Sequence, residues 1–220
     1  MRRAVAMFAG VLLLSGAGGA GVPASAIAAD AALNQRLLAA ARSGDEASVQ
    51  AALADGAVVD SRNRIGDTSL IIASRSGAAG MARALIEHGA NVRQADVAGV
   101  TPLMAAAYGG HDDIVALLLA HGADLAATDR VGKTAMEYAA GEGQTAVVQR
   151  LLDAGVDVNR AYKNDLTALM WAAGYDRADT VKLLLARGAN PSLRDNRGMT
   201  ASDIAAQTGS SHAATLLSLR

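Results

Sequence analysis

The strongest constraint on this chain is a 33-residue period that three residue types share. Half of its ten threonines stand on that period, at Thr68, Thr101, Thr134, Thr167 and Thr200. Glycine keeps the same step from Gly56 to Gly188, and alanine keeps it from Ala40 to Ala205. Such a period is typical of stacked supersecondary units, none of which can bury its apolar face alone. We therefore expect a repeat array.

Each period predicts two short helices. In the third unit, Thr101 is suited to cap a helix that begins at Pro102. The pair Gly109-Gly110 would end that helix. A second helix follows with apolar residues at helical spacing between Ile114 and Leu118, and Gly122 would end it in the left-handed conformation. The pattern indicates an all-α chain with tight connecting turns.

These residues resemble the ankyrin repeat. The third unit carries Gly-Val-Thr-Pro-Leu at Gly99–Leu103, the pair Ala106-Ala107, the joint Gly110-His111 and a Leu-Leu-x-x-Gly-Ala-Asp ending at Leu118–Asp124. The resemblance covers about 33–220. It implies an all-α repeat solenoid, an ankyrin array of about six 33-residue helix-turn-helix units with β-hairpin-like finger loops. The expected units are 30–62 as N-terminal cap, 63–95, 96–128, 129–161, 162–194 and 195–220 as C-terminal cap.

The N-terminal segment 1–28 has the order of a secretory signal peptide. Arg2 and Arg3 precede an apolar stretch, and small residues allow cleavage after Ala26 or Ala28. The apolar stretch is shorter than the roughly 20 residues of a membrane-spanning helix. We expect a mature domain of 29–220 that is periplasmic or secreted and has no membrane span. The alternative is an N-terminal anchor that is never cleaved.

Composition argues against several functions. The formal net charge is −1, and it becomes −3 without Arg2 and Arg3, so the chain lacks the basic surface typical of nucleic-acid binding. Cysteine is absent, which excludes thiolate chemistry and disulfides and suits an oxidising compartment. The four histidines lack a metal-ligand partner four residues away on one helix. We predict no enzymatic activity, no metal and no cofactor, and a monomer.

The fifth unit departs most from the repeat pattern. Its finger reads Tyr162-Lys163-Asn164-Asp165, whereas neighbouring fingers begin with Asp and end with Gly. Aspartate can adopt the left-handed conformation only at a cost that glycine avoids. A broken local rule inside a regular array is a place to look for function. It also predicts that this unit is the least stable.

The aromatic residues concentrate in the same region. Beyond the predicted signal peptide all five lie in fingers or first helices of the third to fifth units, and the ankyrin resemblance implies binding on the concave side that these elements form. Tyrosine and tryptophan often anchor interfaces. We predict a partner-binding patch of Tyr108, Tyr138, Tyr162, Asn164, Asp165, Trp171 and Tyr175, with Lys133 and Lys163 on its rim and Met104 and Met170 lining it. Trp171 could instead be a partly buried packing residue.

These features predict a non-enzymatic scaffold of the bacterial periplasm that binds a protein partner on the concave face. One alternative is a secreted effector that binds a host protein. Another is a small-molecule or peptide-binding module in the aromatic patch, which a closed pocket would favour. A basic finger edge could face an acidic partner or be merely solvated; its residues are Arg64, Arg75, Arg130, Lys133, Lys163 and Arg197.

Overall fold

A computed structural model describes residues 24–218, with side chains from residue 29 onward. The predicted signal peptide therefore lies almost wholly outside the described residues; the cleavage positions after Ala26 and Ala28 fall in the first turns of the first helix. Within residues 24–218, no helix has the length and apolar character that crossing a bilayer requires.

The described chain forms twelve α-helices in six consecutive pairs and contains no β-strand. The helices are α1 Ala24–Ser43, α2 Glu46–Ala54, α3 Ser69–Ser76, α4 Ala79–Glu87, α5 Pro102–Gly109, α6 Asp112–Ala120, α7 Ala135–Glu142, α8 Thr145–Asp153, α9 Ala168–Gly174, α10 Ala178–Ala186, α11 Ala201–Thr208 and α12 Ser211–Ser218. We number the pairs as units one to six. First helices pack on first helices and second helices on second helices, which confirms the predicted all-α solenoid.

The repeated residues explain how the units stack. The alanines at Ala73, Ala106, Ala139, Ala172 and Ala205 are fully buried, so neighbouring first helices approach each other closely. In the second helices, Leu85, Leu118, Leu151 and Leu184 recur at the same step and are also fully buried. Together they form one continuous core along the array. Truncating one of these leucines to alanine typically costs about 2–5 kcal/mol.

Four of the five repeated threonines cap first helices with their hydroxyl groups. The hydroxyl of Thr101 accepts a hydrogen bond from the Met104 N–H, at 3.3 Å. Thr68, Thr167 and Thr200 make the same bond in their units. Each bond satisfies one backbone donor that the start of a helix leaves free.

Fingers connect the units. In the regular fingers the first residue is Asn63, Asp96, Asp129 or Asp195, and its side-chain oxygen accepts hydrogen bonds from two backbone amides of the turn. Glycine in the left-handed conformation closes each of these turns, as at Gly99 with φ of 84°. The fingers are thus hydrogen-bonded turns that form no strand in the described chain.

Candidate functional site

An aromatic strip crosses units three to five on their first helices. We define it as Tyr108 on α5, Tyr138 on α7, Trp171 on α9 and Tyr175 at the end of α9, with Lys133 from the finger that precedes α7. These five residues were predicted from the sequence as part of the site. The structure brings all five together.

Ring contacts make the strip continuous. Tyr108 and Tyr138 meet edge to face with their ring centres 6.0 Å apart. Trp171 and Tyr175 stack nearly parallel, also with ring centres 6.0 Å apart. Lys133 joins the two pairs, because its Nζ lies 5.4 Å from the Tyr138 ring centre and 4.2 Å from that of Trp171. Lys133 was expected on the rim of the patch and lies at its centre.

Packing beneath the strip holds the rings in place. The Tyr138 hydroxyl donates to Asp129 Oδ2 at 2.6 Å, and burial together with this bond raises the pKa of Tyr138. Trp171 and Tyr175 cover α7 at Gly141, where an added Cβ would lie 3.7 Å from the indole. Aromatic and cation–π contacts each contribute about 0.5–1.5 kcal/mol. The strip is therefore organised before any partner arrives.

Its two ends are exposed to solvent. Tyr108 is 51% exposed and Tyr175 is 55% exposed, which is high for large side chains with apolar rings. Exposed apolar residues also stand on three consecutive fingers, at Ile65, Val97 and Val131. Contiguous exposed apolar surface commonly marks an interaction site, and the ring contacts make the strip contiguous.

A groove adjoins the Trp171–Tyr175 stack on the side of unit six. It measures about 350 Å³ and is open to solvent, and its walls include Leu166, Trp171, Tyr175 and Ile204. In unit six, Ile204 and Thr208 hold the repeat positions that Trp171 and Tyr175 hold in unit five. Both side chains are smaller than their counterparts, and the groove is the space that this difference leaves. The groove was not among the sites predicted above, although this loss of bulk is visible in the repeat pattern.

Other predicted site residues lie outside the strip or beneath it. Tyr162 turns inward, since its hydroxyl is buried, and this burial raises the pKa of Tyr162 to about 12. Met104 is only 1% exposed and belongs to the core, so the expectation that it lines the patch is wrong. Met170, at 2% exposed, forms part of the groove wall.

The predicted finger residues of unit five form a distinct turn. Tyr162 stands where other fingers have Asp or Asn, so the side-chain acceptor that organises their turns is missing. Instead, Asn164 and Asp165 both adopt positive φ, at 62° and 58°. At the equivalent position of the fingers in units three and four, the backbone amides of Val97 and Arg130 donate to the preceding finger. Lys163 instead contacts the preceding finger through its side chain, and its Nζ donates to the Val131 carbonyl at 3.1 Å.

A second departure in unit five escaped the sequence analysis. Glycine at positive φ links the two helices of the other units, at Gly44, Gly77, Gly110, Gly143 and Gly209. In unit five Asp176 takes this place with φ of 56°. Its carboxylate accepts from His212 Nδ1 at 2.7 Å and from the Ala213 N–H at 2.8 Å, and these bonds lower the pKa of Asp176. The side chain thus ties unit five to unit six.

The four histidines occupy structural positions. His88 and His121 donate to carbonyls of their own helices, at 2.8 and 2.9 Å. His111 donates to the Arg75 carbonyl in the preceding unit at 3.2 Å. Within residues 24–218, no three histidine, aspartate or glutamate side chains are grouped to hold a metal ion.

Comparison with known families agrees with this architecture. The family model "Ankyrin repeats (3 copies)" matches residues 37–129, 94–162 and 136–219, which together span most of the chain. The chain belongs to the ankyrin-repeat family. No curated protein matches it significantly. Ankyrin arrays are in general protein–protein interaction modules, and typical members act without catalysis.

Proposed function

We propose that this ankyrin protein is a non-enzymatic scaffold of the bacterial periplasm that binds a protein partner through the aromatic strip. The observation that carries the proposal is the continuity of the strip, with Tyr108 and Tyr175 exposed at its ends and Lys133 fixed between the ring pairs. A preformed surface with aromatic anchors favours binding because few side chains must be ordered when the partner docks.

The groove beside Trp171 supports a protein or peptide partner over an enclosed small molecule. Ligand pockets for small molecules typically bury most of the ligand surface. This groove is open to solvent on one side, and it continues the strip onto unit six. An apolar side chain of the partner fits such a groove, with the strip contacting the neighbouring residues of the partner.

The test compares capture of the partner by three forms of the protein from periplasmic extract. The strip variant is Tyr108→Ala/Tyr175→Ala, and the control variant is Arg83→Ala/Gln149→Ala on the second helices. Both variants change exposed residues, but the strip variant also loses two ring contacts of about 0.5–1.5 kcal/mol each, so circular dichroism and urea unfolding must first show that all three forms are folded under the assay conditions. We expect the partner's affinity to fall at least tenfold in the strip variant alone, about 1.4 kcal/mol. Equal affinity for all three forms would contradict the proposal.

Export is the second part of the proposal and rests on residues 1–28. Mass spectrometry of the protein released by osmotic shock should find an N-terminus at Ile27 or Ala29. An intact chain confined to the cytoplasm would contradict it. Recovery of the processed protein from the culture medium, with capture of a host protein, would instead favour the secreted effector.

A further inference from the structure

A second concave feature lies at the opposite end of the array from the groove. It is a cleft of about 680 Å³ between α1 and the first finger, residues 62–67. We call it the arginine cleft, because Arg42, Arg62 and Arg64 line it. The cleft exists because the helix of residues 24–43 takes the place of a finger in unit one, so within residues 24–218 no other finger stacks on the outer side of the first one.

The charge of the cleft is poorly compensated. Asp67 is the one acidic residue that lines it, and Arg75 already binds that carboxylate at 3.1 and 3.2 Å, with Asn63 adding a bond at 3.3 Å. The exposed guanidinium groups of Arg42 and Arg64 have no carboxylate partner within residues 29–218. The cleft therefore presents two free positive charges on a chain whose formal net charge is −1.

The backbone of the first finger offers a further donor on the same side. Successive fingers are joined by amide-to-carbonyl bonds from Val97 to Ile65 at 3.1 Å and from Arg130 to Ala98 at 2.9 Å. The amide of Arg64 is the equivalent donor of the first finger, one repeat period before Val97. It has no acceptor in the described part of the chain. We call the series of amide-to-carbonyl bonds between fingers the finger ladder, and its first end is therefore a free N–H at the cleft.

We propose that the arginine cleft binds an acidic, extended segment of a partner protein. A backbone carbonyl of that segment accepts from the Arg64 N–H and so extends the finger ladder, while its carboxylates face Arg42 and Arg64. Peptides that add a strand to an exposed sheet edge bind in a similar way, since backbone hydrogen bonds give affinity and side-chain contacts give specificity. Residues 1–23 of this chain carry two arginines and no acid, so their charge disfavours them as the occupant.

A fluorescein-labelled hexaglutamate peptide tests the proposal by fluorescence anisotropy, with hexaglutamine as the neutral peptide. The cleft variant is Arg42→Gln/Arg64→Gln. The control variant, Arg83→Gln/Lys182→Gln, removes two exposed positive charges from second helices. We expect saturable binding of hexaglutamate, at least tenfold weaker in the cleft variant and within twofold of native in the control. Equal weakening of both variants, or no saturable binding to native protein, would overturn the proposal.

The backbone bond needs its own readout. In a ¹H–¹⁵N spectrum of the native protein, hexaglutamate should shift the Arg64 amide resonance more than that of Arg130, whose amide is already bonded to Ala98. Binding that leaves the Arg64 amide unchanged would overturn extension of the finger ladder. Preference for anionic phosphatidylglycerol vesicles over the peptide would identify a membrane surface and also overturn the proposal.

Discussion

Glu137 shows how one residue adapts the repeat at the base of the aromatic strip. It stands where the ankyrin pattern has histidine, is 2% exposed, and accepts a hydrogen bond from the Thr134 N–H at 2.8 Å. Burial raises the pKa of Glu137, and this outweighs the opposing effects of Thr134, Lys133 and Trp171. A carboxyl group so placed makes folding depend on pH.

The sign of that dependence follows from the direction of the shift. The pKa of Glu137 is higher in the folded than in the unfolded chain, where it is about 4.3. Its stabilising contribution is fully present below the unfolded value and is lost as the pH rises through the folded value. Glu137→Gln removes the ionisation but keeps an acceptor for Thr134. We predict that this variant gains stability relative to native protein as the pH rises from about 4 to about 7.

Urea unfolding across that pH range measures the difference. Glu87→Gln, an exposed residue at the end of α4, is the control and should follow the native profile. A constant free-energy difference between Glu137→Gln and native protein at all pH values would refute the role given to Glu137.

At the scale of elements, the fifth finger is the exception among otherwise uniform turns. Its first residue is Tyr162, which lacks the side-chain oxygen that accepts hydrogen bonds from the turn amides in the other fingers. Asn164 and Asp165 adopt the left-handed conformation in this finger. Gly198 occupies the position of Asp165 in the next finger, with φ of 79° and nothing within 4 Å of an added Cβ. Substitutions at these two equivalent positions therefore measure the cost of a non-glycine residue at positive φ in opposite directions.

We predict that Asp165→Gly raises the free energy of unfolding by about 1 kcal/mol and that Gly198→Asp lowers it by a similar amount. The physical reason is the same in both: only glycine adopts positive φ without steric cost. Chemical denaturation with urea gives both values. A loss of stability in Asp165→Gly would mean that the aspartate side chain holds the finger together.

Much at this scale was predictable from the sequence. Helix pairs, threonine caps and left-handed glycines repeat with the 33-residue period, and the rings of Tyr138 and Trp171 share one repeat position. The loss of aspartate from the fifth finger is visible in the sequence, but the inward turn of Tyr162 was not predictable, because it depends on how the ring packs against the core. Neither was the arginine cleft, which arises only because α1 replaces a finger. Both depend on contacts between units, which the period of one residue type does not encode.

Across the whole molecule, stability is approximately a sum of units and their interfaces. Unit five carries the three non-glycine residues of the described chain that adopt positive φ, Asn164, Asp165 and Asp176. The left-handed conformation costs a non-glycine residue about 1–2 kcal/mol. The finger and the interhelical turn of unit five are therefore its weak points.

We predict that amide hydrogens of α9 and α10 exchange faster than those of α3 and α4, which form the second unit from the other end of the array. Native-state hydrogen exchange, read by mass spectrometry, compares the two pairs within one sample. Finding α9 and α10 the best-protected helices would contradict the assignment of unit five as the weakest interior unit.

The aromatic strip is proposed as the surface that binds a protein partner. Site-specific photo-crosslinking in living bacteria tests this contact, with a photoreactive phenylalanine analogue at Tyr175 or, as control, at Gln149 on α8. We expect one protein adduct at position 175 that disappears with Tyr108→Ala and is absent at position 149. An adduct formed equally at both positions, or none at position 175, would contradict it.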